Sequence, residues 1–431
     1  MISRRNMMIS GAIASGALLL NGVQSRGDAP ATTGDSTSTR EAASGQYTPV
    51  VVPNTKKLPW KMIDGAKVFH LIAEEVDHEF APGLKAKCWG YNGSVHGPAI
   101  EAVEGDNVRI FVTNRLPAAT TVHWHGLLLP NGMDGVSGLN QKAIAPGETF
   151  IYEFALRNAG THMYHSHHDE MTQMGLGLTG LFIVHPKKPT GPKVDRDFAL
   201  LMHEWRIDAD TSRPNPLEMV EFNVLTFNGK AYPATEPLVA KRGERVRIRF
   251  GNLGPMDHHP IHLHGYTFKL TETDGGPIPE SAQWPLVSVL VPVGETRTIE
   301  FVADEPGDWA MHCHMTHHAM NQMGHGTPNV TGVDAAAINK AVGNLLPMYM
   351  TMGENGMAEM PLMKMDNPAN SVPMLGAPGK HDYITMGGMF TVLKVRENLA
   401  SYEDPGDYEN PPGTLAGKAS DEAMKRNGIQ I

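Results

Sequence analysis

The sequence predicts an all-β protein made of two tandem domains, each a Greek-key β-sandwich or barrel. Short β-branched and aromatic segments alternate with Pro, Gly and Asn turns, no long segment has helical periodicity, and the chain is internally duplicated. The segments with strand character are Val108–Val112, Thr149–Phe154, Leu181–Val184, Val246–Phe250 and Thr298–Val302. Short strands joined by such turns are typical of sandwiches and barrels.

Five motifs occur twice, in the same order and at similar separations. The pairs are Gly105-Asp-Asn-Val-Arg-Ile with Gly243-Glu-Arg-Val-Arg-Ile, His123-Trp-His125-Gly with His262-Leu-His264-Gly, Pro146-Gly-Glu-Thr with Val293-Gly-Glu-Thr, His165-Ser166-His167 with His312-Cys313-His314, and Met171-Thr-Gln-Met174-Gly with Met320-Asn-Gln-Met323-Gly. Such conservation of order predicts the tandem duplication of a domain of roughly 140 residues.

The repeats set the expected domain boundaries. We expect domain 1 at residues 49–188 and domain 2 at residues 189–398. The first copy closes with a strand in Gly177–Val184, whose counterpart in the second copy is Met386–Val395. Residues 327–383 are therefore interpreted as an insertion ahead of the last strand, and residues 399–431 as an irregular tail.

The N-terminus resembles an export signal. Arg4-Arg5 precedes the apolar run Ile9–Leu20, which is typical of a twin-arginine signal peptide, here residues 1–25. A chance Arg pair before a buried strand is the alternative. Residues 26–48 are expected to be a flexible lead-in. No later apolar run is long enough to span a membrane, so a periplasmic or otherwise exported bacterial protein is expected.

Composition narrows the chemistry. The net charge of −10 argues against a nucleic-acid partner. With 2 Cys, neither a disulfide framework nor an all-cysteine metal site can form, whereas 21 His and 26 Met supply ligands that suit copper.

Four His-x-His pairs are the strongest functional signal. Residues i and i+2 of a strand point to one face, so each pair directs two imidazoles to the same space. The pairs are His123/His125, His165/His167, His262/His264 and His312/His314. Cys313 lies between two of these histidines and points to the opposite face. One thiolate, two imidazoles and a weak axial Met form a blue-copper site, for which Cys313, His318 and Met323 supply three ligands and His259 the fourth. A buried, inert thiol is the alternative for Cys313.

These motifs resemble the four copper-binding motifs of the multicopper oxidases, over roughly residues 50–326 and the closing strand. The resemblance implies cupredoxin-like domains and one type 1, one type 2 and two type 3 copper ions. It implies type 1 ligands His259, Cys313, His318 and Met323, type 2 ligands His123 and His262, and type 3 ligands His125, His165 and His314 on one ion and His167, His264 and His312 on the other. It further implies that electrons enter through Cys313 and reduce O₂ to water at the three remaining ions.

The chain resembles the two-domain, small-laccase branch of this family, because the stretch between His167 and His259 is too short for a middle domain. Ser166 stands in the position of Cys313, so type 1 copper is expected in domain 2 alone, and Met171 and Met174 are interpreted as a relic or as core packing. In such relatives the trinuclear cluster lies between domain 1 of one subunit and domain 2 of the next, which implies a homotrimer.

Two further features bear on the reaction. Asp134 follows the first His pair, as the acid near type 2 copper does in relatives, and is a candidate proton donor; a turn residue is the alternative. Ala319 occupies a position that is often acidic in efflux oxidases, so a second proton route stays open.

A methionine-rich segment precedes the closing strand. Thioethers select Cu(I), and packing of a loop onto the barrel is the alternative. The candidates for Cu(I) recruitment are Met348, Met350, Met352, Met357, Met360, Met363 and Met365. Met386 and Met389 are expected on the closing strand, in the core.

The sequence thus predicts a multicopper oxidase that couples oxidation of Cu(I), phenols or aromatic amines to reduction of O₂. The Met-rich segment is similar to that of copper-tolerance cuprous oxidases. The alternatives are a copper-containing nitrite reductase, which lacks the type 3 pair, and a non-catalytic copper-sequestering protein.

Overall fold

The computed structural model describes residues 47–189, 191–207, 211–220, 222–321, 340–341, 345, 370, 372–373 and 376–430. The chain is nearly all β, with 7% helix, which confirms the predicted fold class. Among the described residues, none of the helices has the length and apolar character needed to cross a membrane.

The first half of the chain forms two facing sheets. Its strands are β1 (Val50–Val51), β2 (Trp60–Ile63), β3 (Ala66–Ala81), β4 (Leu84–Tyr91), β5 (Ile100–Val103), β6 (Asn107–Asn114), β7 (His123–His125), β8 (Thr149–Ala155), β9 (Gly160–His165) and β10 (Thr179–His185), and a short helix, α1, spans Glu170–Gly175. One sheet has the order β2-β3-β6-β8 with β4 on β3, and the other has the order β5-β10-β9-β7. Alternate residues of these strands point inward and form one core, which includes Phe69, Ile110, Trp124 and Phe182.

The second half repeats this plan. Its strands are β11 (Arg196–Trp205), β12 (Val224–Phe227), β13 (Leu238–Lys241), β14 (Arg245–Asn252), β15 (His259–Leu263), β16 (Phe268–Thr273), β17 (Gly276–Pro277), β18 (Trp284–Leu286), β19 (Ser288–Val291), β20 (Thr296–Val302), β21 (Gly307–Cys313), β22 (Ala377–Gly379), β23 (Asp382–Ile384) and β24 (Phe390–Arg396), followed by α2 (Asp421–Arg426). One sheet has the order β1-β11-β14-β20-β16-β17 with β12 on β11 and β18 on β16, the second has the order β13-β24-β21-β15-β19, and β22 pairs with β23.

The duplication is visible in the register of the strands. β10 pairs in parallel with β5 and antiparallel with β9. β24 pairs in parallel with β13 and antiparallel with β21, so it occupies in the second half the place of β10 in the first. This strand begins at Phe390, later than predicted: Met389 is fully buried just ahead of it, whereas Met386 is only half-buried.

A buried ion network joins the two halves. The Arg249 guanidinium, on β14, donates to Asp197 Oδ1 at 2.8 Å, to Glu272 Oε2 at 3.1 Å and to Thr161 Oγ1 at 3.0 Å. Thr161 belongs to β9 of the first half. β1 adds a second link, because it pairs with β11 of the second half. The charge pairs lie within the second half, so the network reaches the first half through the hydrogen bond from Arg249 to Thr161.

Several predicted segments lie outside the described residues. They are the signal peptide and most of the lead-in (residues 1–46), Met323, and the Met-rich segment 348–365. The tail predicted to be irregular contains α2, whose first turn is capped by Ser420 Oγ, which accepts the N–H of Ala423 at 3.1 Å.

Candidate copper centres

Three predicted ligands converge at one point in the second half. His259 opens β15, Cys313 ends β21, and His318 lies in the 3₁₀ turn Thr316–Ala319 that follows it. His259 Nδ1 is 3.2 Å from His318 Nδ1, and Cys313 Sγ is 3.7 Å and 3.5 Å from these two nitrogens. We call His259, Cys313 and His318 the Cys–His trio. All three are buried.

The trio fits a single first-row metal ion. Bonds of about 2.0 Å to nitrogen and about 2.3 Å to sulfur leave neighbouring ligand atoms about 3.2–3.8 Å apart, as here. Burial lowers the pKa of His259 to about 4, which keeps its imidazole neutral and able to coordinate. Burial also raises the pKa of the Cys313 thiol to about 12, so the thiolate would form together with metal binding.

The outer nitrogens of the two trio histidines face carboxylates. His259 Nε2 lies 3.3 Å from Glu204 Oε2, and His318 Nε2 lies 3.4 Å from Asp257 Oδ2. Burial raises the pKa of Glu204 to about 7. Carboxylates in this position orient ligating imidazoles and make them more basic.

Four predicted ligands of the first half form a second group, the first quartet. Its members are His123, His125, His165 and His167. The His123 ring centroid lies 5.7, 5.3 and 5.5 Å from those of His125, His165 and His167. β7 and β9 pair with His123 opposite His165, and this register brings the two His-x-His motifs together.

The corresponding histidines of the second half form the second quartet. Its members are His262, His264, His312 and His314. His262 stands opposite His312 in the pairing of β15 with β21, and the His264 and His312 Nε2 atoms are 3.2 Å apart. His264 and His314 are exposed. Burial and the neighbouring imidazoles lower the pKa values of His264 and His312, which keeps both rings in the metal-binding form.

Backbone carbonyls hold equivalent rings of the two quartets in the same orientation. His165 Nδ1 donates to the Ser166 carbonyl and His312 Nδ1 to the Cys313 carbonyl, each at 2.9 Å. His123 Nδ1 donates to the Asp134 carbonyl at 2.8 Å, and His262 Nδ1 to that of Val287 at 2.6 Å. A proton fixed on Nδ1 leaves Nε2 as the metal-binding atom. These four rings are therefore oriented for coordination through Nε2, whereas His125 turns its Nδ1 toward His165 Nε2, at 3.4 Å.

The two quartets are separate within one chain. In the described part of the chain, no ring contact or hydrogen bond joins a histidine of one quartet to a histidine of the other. From the second half of the same chain, the turn after β19 lies beside the first quartet, and the His125 ring contacts the Gly294 backbone there. The eight histidines thus form two separate groups, one in each half of the chain.

Asp134 lies beside the first quartet, as the sequence predicts. Its Oδ1 is 3.4 Å from His123 Nδ1, in addition to the carbonyl contact above. The next residue, Gly135, packs directly onto β7: a Cβ there would lie 1.9 Å from the Val122 carbonyl oxygen, and its φ is +89°. Only glycine permits this approach, which holds the carboxylate at the quartet.

In the first half, polar side chains occupy the position equivalent to the Cys–His trio. Ser166 stands where Cys313 does, and Thr120 where His259 does. Gln173 lies between them: its Oε1 accepts from Thr120 Oγ1 at 2.7 Å and from Ser166 Oγ at 2.5 Å, and its Nε2 donates to the Ala119 carbonyl at 2.8 Å. Met171, interpreted as a relic or core residue, is 55% exposed and does not occupy this place.

Sequence reasoning missed Glu204, Asp257 and Gln173. Thr120 could have been found, because the aligned repeats place it at the position of His259. Glu204 carries no such signal, since it lies on a different strand, far from His259 in the sequence.

A Cys–His trio and two histidine quartets on a duplicated β-sandwich define a copper protein of the cupredoxin class. Two family profiles, both described as multicopper oxidase, match residues 73–189 and 208–330, together more than half of the chain. The chain belongs to the multicopper oxidase family.

Relatives agree with this assignment. Copper resistance protein A of Pseudomonas syringae pv. tomato is 27% identical over 45% of this chain and 39% of its own length. A copper-containing nitrite reductase of Neisseria meningitidis serogroup A is 29% identical over 58% of this chain and 66% of its own. The blue copper oxidase from Nitrosomonas europaea superposes with a TM-score of 0.58 at 26% identity, covering 79% of this chain and 91% of that one, which confirms the cupredoxin-like fold. The chain spans about two fifths of the length of the copper resistance proteins that it matches.

Proposed function

We propose that the protein is a two-domain multicopper oxidase that passes electrons from a reducing donor to O₂. The observation that carries this proposal is the placement of residues 312–314. Cys313 contributes its sulfur to the trio, whereas the rings of its neighbours His312 and His314 belong to the second quartet. One short stretch of chain therefore connects two metal centres.

The ligand assignment follows the resemblance. Type 1 copper would take His259, Cys313, His318 and Met323, type 2 copper His123 and His262, and the type 3 ions His125, His165, His314 and His167, His264, His312. When bound, copper would supply one-electron redox chemistry at the trio and reduction of O₂ at the quartets.

Hydrogen bonds fix the stretch of chain that connects the two centres. His312 Nδ1 donates to the Cys313 carbonyl at 2.9 Å, so a hydrogen bond parallels the covalent path between the two centres. The Cys313 N–H donates to the Met389 carbonyl at 3.0 Å and the His314 N–H to that of Pro260 at 2.7 Å. These two bonds fix the backbone at Cys313, in the trio, and at His314, in the second quartet. Asp134, beside His123, would deliver protons to the reduced oxygen.

The two separate quartets support a homotrimer. Type 2 and type 3 copper each require histidines from both quartets, yet the quartets of one chain are apart. The exposed His264 and His314 leave the second quartet open to another subunit. A cyclic trimer would bring the first quartet of one subunit onto the second quartet of the next.

The surroundings of His318 support Cu(I) as a donor, with phenols or aromatic amines as further donors. Met256 and Met315 are 54% and 42% exposed, and Asp257 faces the His318 ring. Exposed thioethers favour Cu(I), a soft ion, and a carboxylate attracts a cation rather than a neutral organic molecule. The Met-rich segment 348–365 would recruit the ion, and copper tolerance after twin-arginine export to the periplasm is the role that we assign.

Nitrite reduction is the second candidate, because a nitrite reductase is among the relatives. All six histidines that would hold a type 3 pair are present, and such a pair serves O₂ rather than nitrite. This favours the oxidase.

The test is O₂ uptake by the copper-loaded full chain with Cu(I), a phenol and an aromatic amine as donors, and anaerobic nitrite consumption alongside. We expect Cys313→Ser to lower O₂ uptake more than about 100-fold with every donor, since even outer contacts of metal ligands cost 10–100-fold. Cys88→Ser, which alters the other buried thiol, is the matched control and should retain activity. Deleting residues 348–365 should lower Cu(I) oxidation and spare phenol oxidation.

Each alternative has its own outcome. Bound copper without O₂ uptake would identify a sequestering protein, and nitrite consumption without O₂ uptake a nitrite reductase. Equal losses on both donors after the deletion would contradict recruitment by the Met-rich segment.

A further inference from the structure

A buried carboxylate lies directly behind the Cys–His trio. Glu204 is on β11, and its side chain is 0% exposed. Other buried acids of this protein have cationic partners, as Asp197 and Glu272 do in Arg249. Within the described residues, Glu204 has no Lys or Arg in ion-pair contact; the basic groups near it are the imidazoles of the trio, of which His259 is in direct contact. An acid buried without a cation is costly, so its position calls for a specific role.

The two oxygens of Glu204 have different contacts. Oε1 accepts the backbone N–H groups of Met256 and Asp257, at 2.6 and 2.7 Å. Oε2 lies 3.3 Å from His259 Nε2, and both of these buried atoms are without a hydrogen-bond partner. The opposite nitrogen of the ring, Nδ1, faces Cys313 and His318. A proton on Nε2, directed at Glu204, therefore leaves Nδ1 free for the metal.

Glu204 reaches the second trio histidine as well. Asp257, whose N–H it accepts, directs its own Oδ2 to His318 Nε2 at 3.4 Å. The loop between β14 and β15 packs closely against the carboxylate: a Cβ at Gly254 would lie 3.1 Å from Glu204 Oε2. One carboxylate thus contacts one histidine directly and places the acid that contacts the other.

We propose that Glu204 is the positioning residue of the trio: it sets the orientation of both imidazoles and places a negative charge that stabilises oxidised over reduced copper. This inference rests on copper binding by the trio, which is part of the proposed function, but not on O₂ reduction. Removing the charge should therefore favour reduced copper. It should also weaken the binding of Cu(II), because the rings lose their fixed orientation.

The experiment compares copper-loaded wild type with Glu204→Gln and Glu204→Asp at one alkaline pH. The blue thiolate absorption is titrated against a one-electron redox mediator, and Cu(II) affinity is measured by competition with a chelator. Glu204→Gln should shift the redox equilibrium about tenfold toward reduced copper, which corresponds to about 59 mV. Cu(II) affinity should fall by about 10- to 100-fold. Glu204→Asp keeps the charge, so its redox equilibrium should stay close to that of the wild type.

Controls separate this role from general stability. Glu101→Gln removes a different carboxylate, 12% exposed and bonded to His185 and Lys57, and should leave the redox equilibrium unchanged. If Glu204→Gln does not fold, the partly exposed Asp257→Asn should give a smaller shift in the same direction. An unchanged redox equilibrium in the folded Glu204→Gln variant, or in Asp257→Asn where that variant stands in for it, would falsify the positioning role while leaving the copper site intact. Wild type that binds copper without a blue absorption would instead refute the trio itself.

Discussion

At the residue scale, a single side chain or backbone atom decides which nitrogen of each imidazole can bind metal. His259 and His318 present Nδ1 to Cys313 and turn Nε2 to carboxylates. His123 and His262 have the opposite orientation, because backbone carbonyls accept from Nδ1. The same residue type therefore serves two kinds of centre, and the difference lies in its hydrogen-bond partner.

Asp134 gives a prediction at this scale. Its carboxylate is 3.4 Å from the His123 ring, so we expect Asp134→Asn to slow O₂ consumption by about 100-fold, within the usual contribution of a positioned acid. Reduction of the trio by the donor should be unaffected, because that centre lies in the other half. Stopped-flow measurement of each step separates the two.

The matched control for this prediction is Asp64→Asn. Asp64 also precedes a glycine, in the exposed turn between β2 and β3, two strands that carry no quartet histidine, and its substitution should leave both steps unchanged. If Asp134→Asn instead slows reduction of the trio by the donor, and this slowing accounts for the lower O₂ consumption, Asp134 acts on the structure and not on proton delivery.

At the scale of elements, the duplication shows which side chains fill the position of the Cys–His trio in the first half. In the first half, Thr120, Ser166 and Gln173 form a closed hydrogen-bond set in the place of the trio. Gln173 is 1% exposed and joins the turn before β7 to the end of β9. This set supports the expectation that domain 1 lacks type 1 copper, because none of its three side chains is a strong ligand for that ion.

We expect Gln173→Ala to destabilise the apo protein by about 1–3 kcal/mol, since it leaves the Ala119 carbonyl and two hydroxyl groups without their partner. The midpoint of urea unfolding measures this loss. Gln283→Ala removes one hydrogen bond in a partly exposed turn and should cost less than about 0.5 kcal/mol. Equal shifts for the two variants would show that the buried set contributes nothing of its own.

The trio and the quartets could be predicted from the sequence because their ligands are close in the chain or recur in both repeats. His312, Cys313 and His314 are consecutive, and alternation along a strand assigns them to opposite sides. Glu204 and Gln173 could not be predicted. Each lies on an element that only tertiary packing brings to the site, and neither residue type by itself indicates metal binding.

At the scale of the whole molecule, buried contacts join the two halves of a chain, but their histidine quartets do not meet. Arg249 donates to Thr161 of the first half, Thr296 Oγ1 donates to the Thr161 carbonyl at 3.0 Å, and β1 pairs with β11. A hinge motion that would join the quartets would have to break these contacts. A second copy of the chain is the simplest way to bring the two kinds of quartet together. The separation of the quartets favours the proposed trimer over a monomeric oxidase.

Mixing two inactive variants tests this arrangement. His125→Ala disables the first quartet and His264→Ala the second, and each alone should abolish O₂ uptake. If clusters form between subunits, co-expressed chains in equal amounts should place intact quartets together at about a quarter of the interfaces, with a corresponding return of activity. Both variants keep the trio, so electrons still reach the intact second quartet through Cys313 of the same chain.

Co-expression of two variants of the same quartet, His125→Ala and His165→Ala, is the control and should stay inactive. If the His125→Ala and His264→Ala mixture also stays inactive while both proteins bind copper at the trio, the clusters form within one chain and the trimer proposal is wrong.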